Sequence, residues 1–179
     1  MMKIISGKYR GRTIIGYDIV GTRPTMDRVK ESLFAMIQSY LDNSSCLDLF
    51  AGSGNLGLEA ISEGAKDCTF VDKGRIAFKT INDNLTNLGI GNCKVYLTDF
   101  RTFLRDTNNQ YDLIFIDPPY KTNFIKESLA LIEKYNLLTE NGLVVLESDN
   151  EEKFAYSSYY SIFKKRKYGD KFVLILSKS

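Results

Sequence analysis

Short, continuously apolar runs alternate with amphipathic stretches along most of this chain. The apolar runs predict strands at 46–50, 68–72, 94–98, 113–116 and 143–146. Between them, apolar residues recur every three or four positions, which is typical of helices packed on a sheet; the last of these helices is expected to end by 141–142. Alternating strands and helices form a mostly parallel sheet, and fully apolar strands are covered on both faces. The pattern therefore predicts an α/β fold of the Rossmann-like kind.

The N-terminal part has a different pattern. Two short β-like runs within residues 3–15 flank a glycine-rich basic turn, which predicts a β-hairpin with Arg10 and Arg12 near its tip. Helical spacing then extends from Met26 to about Leu41. We expect Thr25 to be the N-cap of this helix, because Pro24 disfavours a helical conformation in the residue before it.

The C-terminal part also departs from strand–helix alternation. Two β-rich runs, 159–167 and 172–176, are joined by a short turn containing Gly169 and Asp170. This pattern predicts a hairpin, so at least one strand of the sheet runs antiparallel to the others. We predict an N-terminal basic hairpin extension at 1–25 and one α/β domain at 26–179.

Composition and hydropathy narrow the class of protein. Hydrophobic residues make up 44% of the chain and charged residues 26%, which is ordinary for a globular domain. No apolar run approaches the roughly 20 residues that a membrane-spanning helix needs. The first residues include no long apolar stretch that would indicate a secretory signal. We therefore expect a cytoplasmic protein with no membrane partner, and a monomer.

The net charge of +2 hides two basic ends. Residues 1–30 contain seven Lys and Arg against two Asp, and residues 153–179 contain seven against one. The segment between them is acidic, with ten basic and nineteen acidic residues. Such asymmetry can indicate a surface that contacts a polyanion, so nucleic acid is a candidate partner.

Cysteine and histidine usage excludes several kinds of site. The three cysteines, Cys46, Cys68 and Cys93, form no Cys-x-x-Cys pair, and the chain contains no histidine. We therefore predict no metal site and no disulfide framework, and interpret the cysteines as buried core residues. The absence of histidine also excludes catalytic schemes that need an imidazole base.

A glycine-rich turn follows the first predicted sheet strand. Gly52, Gly54 and Gly57 form a Gly-x-Gly-x-x-Gly pattern between that strand and a helix, which is typical of a nucleotide-binding loop. Asp72 ends the next strand, where a carboxylate can accept hydrogen bonds from ribose hydroxyls. Asp48 is unexpected beside a pyrophosphate, but it suits a ligand that carries an ammonium group. S-adenosylmethionine is such a ligand, and the segment resembles the first motif of class I methyltransferases.

Two further acids follow predicted strands. Asp99 follows the third sheet strand and is either a ligand for the adenine amino group, with Phe100 against the ring, or simply a helix N-cap. Asp117-Pro118-Pro119-Tyr120 follows the fourth strand. This motif resembles the signature of methyltransferases that act on amino groups of bases or glutamine. Carboxyl ends of parallel strands share one edge of a sheet, so these acids are expected to meet there.

Taken together, the motifs resemble one family over essentially the whole chain. The N-terminal hairpin, Arg23-Pro24-Thr25 with Asp27 and Arg28, the glycine loop and Asp-Pro-Pro-Tyr are similar to those of RsmD-type bacterial 16S ribosomal RNA (guanine-N2)-methyltransferases. Asn55 departs from the small residue that often fills its loop position.

The resemblance implies a class I methyltransferase fold, with a seven-stranded sheet and one reversed strand near the C-terminus. It implies S-adenosylmethionine as cofactor and 16S ribosomal RNA, naked or in a small-subunit particle, as partner. The implied cofactor residues are Asp48, Phe50, Gly52, Gly54, Asn55, Asp72, Lys73, Asp99 and Phe100. The implied catalytic residues are Asp117, Pro118, Pro119 and Tyr120, and the implied RNA-binding residues are Arg10, Arg12, Arg23, Thr25 and Arg28.

Alternative functions remain open from the sequence. Asp-Pro-Pro-Tyr also occurs in adenine-N6 methyltransferases, although a guanine edge offers two adjacent donors for one carboxylate and the chain has no target-recognition insertion. An NAD-dependent oxidoreductase could use the glycine loop and Asp72, but Asp48 and the lack of a substrate domain oppose it. A non-catalytic RNA-binding module would not need four aligned acids.

Overall fold

A seven-stranded sheet forms the centre of the molecule in the computed structural model, which describes residues 2–16, 24–119 and 122–179, with only the backbone for 24–26. Sheet neighbours follow the order β5-β4-β3-β6-β7-β9-β8. These strands are β3 (Ser45–Asp48), β4 (Asp67–Asp72), β5 (Lys94–Leu97), β6 (Tyr111–Ile116), β7 (Leu138–Ser148), β8 (Tyr160–Tyr168) and β9 (Lys171–Lys178).

One strand of this sheet is reversed. Pairs within β5-β4-β3-β6-β7 are all parallel, whereas β9 is antiparallel to both β7 and β8. The turn between β8 and β9 contains Gly169 with φ of 57°. The predicted C-terminal hairpin and the single reversed strand are thus confirmed.

Helices cover both faces of the sheet. They are α1 (Pro24–Met36), α2 (Asn55–Ser62), α3 (Arg75–Leu88), α4 (Phe100–Asp106) and α5 (Phe124–Lys134). One apolar core contains side chains of α1, α2 and α3, such as Leu33, Leu58 and Ile81. The other contains side chains of α4 and α5, such as Leu104 and Leu129. The alternating pattern therefore led to the correct layers, because each helix buries the face on which its apolar residues recur.

The N-terminal strands β1 (Met2–Lys3) and β2 (Thr13–Ile14) pair in a two-stranded sheet of their own. The hairpin is fixed to α2 by the buried carboxylate of Glu59, which also forms an ion pair with Lys30 of α1. Glu59 accepts the backbone N–H groups of Ile5 and Ser6 at 2.9 and 3.1 Å, and Lys30 lies 3.0 Å from the same carboxylate. Both charged side chains are almost fully buried. The hairpin is therefore part of the folded unit and is not a loose extension.

Both predicted boundaries of the first helix are wrong, and the last helix ends well before the predicted limit. The first helix begins at Pro24, so Thr25 is not its N-cap, and it ends at Met36 before a 3-10 turn at Gln38–Tyr40. Proline fits the first helical position because its fixed φ is already helical and its missing N–H has no partner there. The last helix ends at Lys134 and not near 141–142, because Asn136 adopts a left-handed φ of 52° and Leu137 donates its N–H back to Ile132.

Candidate active site

The carboxyl ends of β3 and β6 lie side by side at the point where the strand order reverses. From β3 the chain continues through β4 and β5 in one direction, and from β6 through β7 in the other. In open α/β sheets ligands bind in the crevice outside such a switch point. The glycine loop follows β3 and Asp117-Pro118-Pro119 follows β6, so both motifs are at this edge.

The glycine loop has the backbone geometry that the sequence pattern predicts. Gly52 and Gly54 have φ of 58° and 86°, in the left-handed region that side chains disfavour. Gly54 is the N-cap of α2 and has no side chain to cap the helix, and in the first turn the N–H of Gly57 is accepted by Asp48. At Gly57 an added Cβ would lie 2.4 Å from Phe70 of β4. The first two glycines thus shape the loop, and the third lets α2 approach the sheet.

Asp72 holds two turns of this edge together. One carboxylate oxygen accepts the N–H of Gly52 at 3.0 Å, and the other accepts the N–H of Gly74 at 2.8 Å. A carboxylate oxygen can accept more than one hydrogen bond, and the side chain is only half-buried. Asp72 therefore keeps accepting capacity toward the crevice while it fixes the loop.

Asp48 is buried and its charge is uncompensated. Its carboxylate accepts the N–H of Gly57 at 3.0 Å, and no Lys or Arg of the described residues forms an ion pair with it. Burial, opposed by this hydrogen bond and reinforced by the charges of Asp72 and Glu147, raises the pKa of Asp48 to about 7. A buried carboxyl of this kind fits a cationic ligand group, because a positive charge beside it would favour its ionised form.

The predicted adenine residues are in a small aromatic cluster. Phe50, Phe100 and Phe124 pack with ring centroids 4.9 to 5.9 Å apart, and the guanidinium of Arg101 lies 4.6 Å from the centroid of Phe100. Asp99 is the N-cap of α4 and accepts the N–H of Arg101 at 2.8 Å, which was the alternative interpretation of this acid. Phe124 was missed, since an aromatic residue at the start of an apolar helix carries no distinguishing signal.

Asn55 and Lys73, the other two predicted cofactor residues, lie in different surroundings. The side-chain oxygen of Asn55 accepts a hydrogen bond from Lys30 at 2.9 Å, so this amide supports the hairpin anchor. Lys73 is exposed in the turn after Asp72. Neither position contradicts a cofactor role, but Asn55 can contribute only its backbone or a second amide contact.

A pocket lies beyond Asp117 at the same edge of the sheet. It is lined by Asp117, Pro118, Pro119, Thr122, Ile125, Glu147, Ser148, Asp149, Lys153 and Lys171. The Thr122 hydroxyl donates to the carbonyl of Pro119 at 3.0 Å, which fixes the turn. Asp117 is open to water on one side, and desolvation by the pocket wall together with the charge of Glu147 raises its pKa to about 8. Tyr120 lies outside the described residues.

Glu147 and Lys171 were missed by the sequence analysis. Glu147 is nearly buried near the end of β7, and the Lys171 ammonium lies 3.3 Å from its carboxylate. The available signal was position, because Glu147 ends the apolar run that follows the Asp-Pro-Pro strand in the sheet. A fifth acid at the carboxyl edge could therefore have been noticed.

The predicted RNA residues do not form one patch. Residues 7–9 of the hairpin tip contact Ser62 at the end of α2 that lies away from the crevice, about 12 Å along that helix. Arg10 is exposed near this tip, and the Arg12 guanidinium donates to the carbonyl of Asn87 at 2.9 Å. Arg28 is exposed in the N-terminal half of α1. Arg23 and the side chain of Thr25 lie outside the described residues.

Within residues 2–16, 24–119 and 122–179, no three His, Cys, Asp or Glu side chains are grouped to hold a metal ion. In the same ranges, no helix combines the length and apolarity needed to cross a membrane.

Comparisons with known proteins decide the family. The family model described as "Conserved hypothetical protein 95" matches residues 2–177. Ribosomal RNA small subunit methyltransferase D of Escherichia coli strain K12 is 36% identical over 150 residues, covering 84% of this chain and 76% of the relative. The chain belongs to the methyltransferase D family. Another relative, the "Putative rRNA methyltransferase YlbH" of Bacillus subtilis, is 44% identical over 156 residues, covering 84% of each chain.

A solved structure supports the same membership. The Escherichia coli protein named "Putative methyltransferase yhhF" has a TM-score of 0.90 to this chain at 31% identity. The match covers 99% of this chain and 98% of the chain in that structure. The methyltransferase D family assignment agrees with the expected class I fold, including its hairpin and reversed strand.

Proposed function

We propose that this protein transfers a methyl group from S-adenosylmethionine to the exocyclic N2 amine of a guanine in 16S ribosomal RNA. The observation that carries the proposal is the position of two motifs at one switch point. The glycine loop with Asp48 and Asp72 lies beside the Asp117-Pro118-Pro119 pocket. The names of the relatives support ribosomal RNA as the substrate.

The cofactor side of the crevice fits S-adenosylmethionine in its donor set. Asp72 would accept the ribose hydroxyls, and Asp48 would face the methionine ammonium. The exposed N–H groups at the start of α2 would face the methionine carboxylate. When bound, the cofactor supplies an electrophilic methyl group on a sulfonium. A pyrophosphate would instead meet the negative charge of Asp48, which argues against NAD.

The acceptor side then has to activate a weak nucleophile. The lone pair of an aryl amine is delocalised into the ring. Asp117 and the Pro118 carbonyl can each accept one N–H of the amine, which turns the nitrogen toward tetrahedral geometry and aims its lone pair out of the ring plane. This positioning lowers the barrier without a histidine base, because the methylated amine is acidic and loses its proton readily.

Guanine fits this pocket better than adenine. Its N1–H and 2-amino groups are adjacent donors for the two oxygens of Asp117, whereas adenine presents its N1 acceptor next to the 6-amino group. A carboxylate opposite that acceptor would repel it. Lys153 and Lys171 in the pocket wall, and exposed arginines such as Arg28 on α1, suit an RNA backbone.

The test is methylation of 16S ribosomal RNA from a strain that lacks the gene, tried as naked RNA and as small-subunit particles, followed by nucleoside mass spectrometry. We expect N2-methylguanosine from the wild type and none from Asp117→Ala, with cofactor affinity in that variant within about 1 kcal/mol of wild type. Asp117→Asn should be slow, because its amide keeps one accepting oxygen.

Three outcomes would contradict the proposal. They are N6-methyladenosine as product, full activity of Asp117→Ala, or calorimetric binding of NAD in preference to S-adenosylmethionine.

A further inference from the structure

The acceptor pocket contains a second carboxyl group next to Asp117. Asp117 follows β6, Glu147 lies in the neighbouring β7, and Lys171 begins the next strand, β9. The Glu147 side chain is 8% exposed and its carboxylate lies 3.3 Å from the Lys171 ammonium. All three residues line the same pocket, with Asp117 the most open to solvent. Glu147 is thus the more buried of these two carboxyl groups.

We propose that Glu147, held by Lys171, is a positioning residue that sets the orientation and ionisation of the Asp117 carboxyl group. The inference rests on the methyl transfer proposed above, in which Asp117 receives the acceptor amine. Glu147 itself acts through Asp117 and is not assigned a contact with the base.

The charges around Asp117 support this arrangement. Two adjacent carboxyl groups do not both ionise freely, so the neighbouring carboxylate of Glu147 disfavours the ionised form of Asp117, and the positive charge of Lys171 opposes this effect. Glu147 from β7 and Asp48 from β3 raise the pKa of Asp117, and Lys171 from β9 lowers it. Asp149 and Lys153 complete the charged groups of the pocket wall.

In the proposed reaction, the ionisation state of Asp117 matters because this carboxyl group accepts a proton from the amine. The amine nitrogen forms a bond to the methyl carbon while the carbon–sulfur bond breaks and its electron pair stays on sulfur. The nitrogen then carries a positive charge and releases one proton, which ionised Asp117 accepts. The proton leaves to water through the open side of the pocket. Asp117 must therefore be ionised when the amine binds, and Glu147 sets the pH at which that happens.

Opposite substitutions separate this role from simple structural support. Glu147→Gln keeps a hydrogen-bonding group but removes a negative neighbour, so the pKa of Asp117 falls. Lys171→Met removes a positive neighbour, so the pKa of Asp117 rises. Glu140→Gln is the matched control, because Glu140 is at the other end of the same strand and is 86% exposed.

The direct measurement is carbon-13 NMR of aspartate carboxyl groups in the full chain, without cofactor or RNA, with Asp117→Asn used for assignment. We expect the Asp117 titration to move down by about one pH unit or more in Glu147→Gln and up in Lys171→Met. Glu140→Gln should titrate as wild type. An unmoved Asp117 titration in both site variants would overturn the inference; if one variant does not fold, the other decides alone.

The second measurement is the pH profile of single-turnover methylation. The acid limb of the rate should move in the same two directions, and the maximal rate of Glu147→Gln should recover at lower pH. A lower rate at every pH with an unmoved limb would show a structural role only and would overturn the inference. If Asp117→Ala methylates normally, the proposed function fails whatever the NMR titration shows, so the two failures are distinguishable.

Discussion

At the scale of single residues, the acids of the crevice differ in how their charge is satisfied. Asp72 accepts two backbone N–H groups, Asp48 accepts one while buried, and Asp117 shares its surroundings with Glu147. A carboxylate with two fixed donors is an architectural group that can also bind ligand. A buried one with a single donor is costly for the fold, and such a cost is expected at a binding site.

Asp48→Asn tests that cost. The pKa of Asp48 is about 7 in the folded protein against an ordinary value of 3.8. The folded state therefore holds the proton more tightly, and this stabilisation is complete at low pH and lost as the pH rises to about 7. We expect the free energy of unfolding of Asp48→Asn, relative to wild type, to increase between about pH 5 and about pH 8.

Urea unfolding at both pH values measures this difference, and calorimetry of the same variant should show weaker S-adenosylmethionine binding. Asp83→Asn is the control, because Asp83 is 45% exposed and pairs with Lys79 on the surface. An identical pH dependence of stability in wild type and Asp48→Asn would mean that Asp48 is ionised normally in the fold.

At the scale of elements, the strands were the most predictable part of the chain. Apolar runs such as 113–116 are buried on both faces of the sheet, so their pattern has a single cause. Helix ends were less predictable, because the left-handed Asn136 that ends α5 looks like an ordinary polar residue in sequence.

The candidate site was predictable only in part, because only some of its residues have a distinguishing local sequence. Asp48 and Asp117 have a recognisable local context, because the first shortly precedes a glycine turn and the second directly precedes two prolines. Glu147 and Phe124 have none, since pairing across strands and packing between loops bring them to the crevice. Sequence position also did not reveal that the hairpin tip is far from the crevice.

The junction between α2 and β4 yields a prediction about Gly57. An added Cβ there would lie 2.4 Å from Phe70 and 2.7 Å from Cys68, both in the buried core. Gly57→Ala should therefore lower the free energy of unfolding by about 1–3 kcal/mol through overpacking. Gly91→Ala is the control, because nothing lies within 4 Å of its Cβ position. Equal stability of the two variants in urea unfolding would contradict the close approach.

The hairpin anchor yields another prediction at this scale. Glu59→Ala leaves Lys30 buried without its carboxylate and two N–H groups without an acceptor. We expect a loss of about 3–5 kcal/mol in unfolding free energy, and faster amide exchange at Ile5 and Ser6. Lys79→Ala breaks an exposed pair and should cost no more than about 1 kcal/mol. A small effect of Glu59→Ala would show that the hairpin is held mainly by apolar contacts.

At the scale of the whole molecule, exposed basic residues lie outside an acidic crevice. Asp48 is buried and Asp72 is half-buried at the carboxyl edge, whereas Arg10 and Arg28 are exposed on the hairpin and on α1. The hairpin tip is about 12 Å from the crevice edge along α2, so one small ligand cannot contact both. A folded RNA is large enough to bind this surface while one of its bases enters the pocket.

The dependence of RNA affinity on salt tests this surface directly. Each phosphate contact that is lost should reduce the slope of log affinity against log salt by about one. We expect this reduction for Arg28→Ala. We also expect it for Arg10→Ala, because the proposed RNA surface extends along α2 to the hairpin tip and this side chain makes no hydrogen bond or ion pair with the described residues. Lys134→Ala removes the same charge from an exposed site at the C-terminal end of α5, away from the crevice, and should leave the slope unchanged. A change in Arg28→Ala alone would exclude the hairpin tip from the RNA interface, and wild-type slopes in all three variants would exclude both arginines from it.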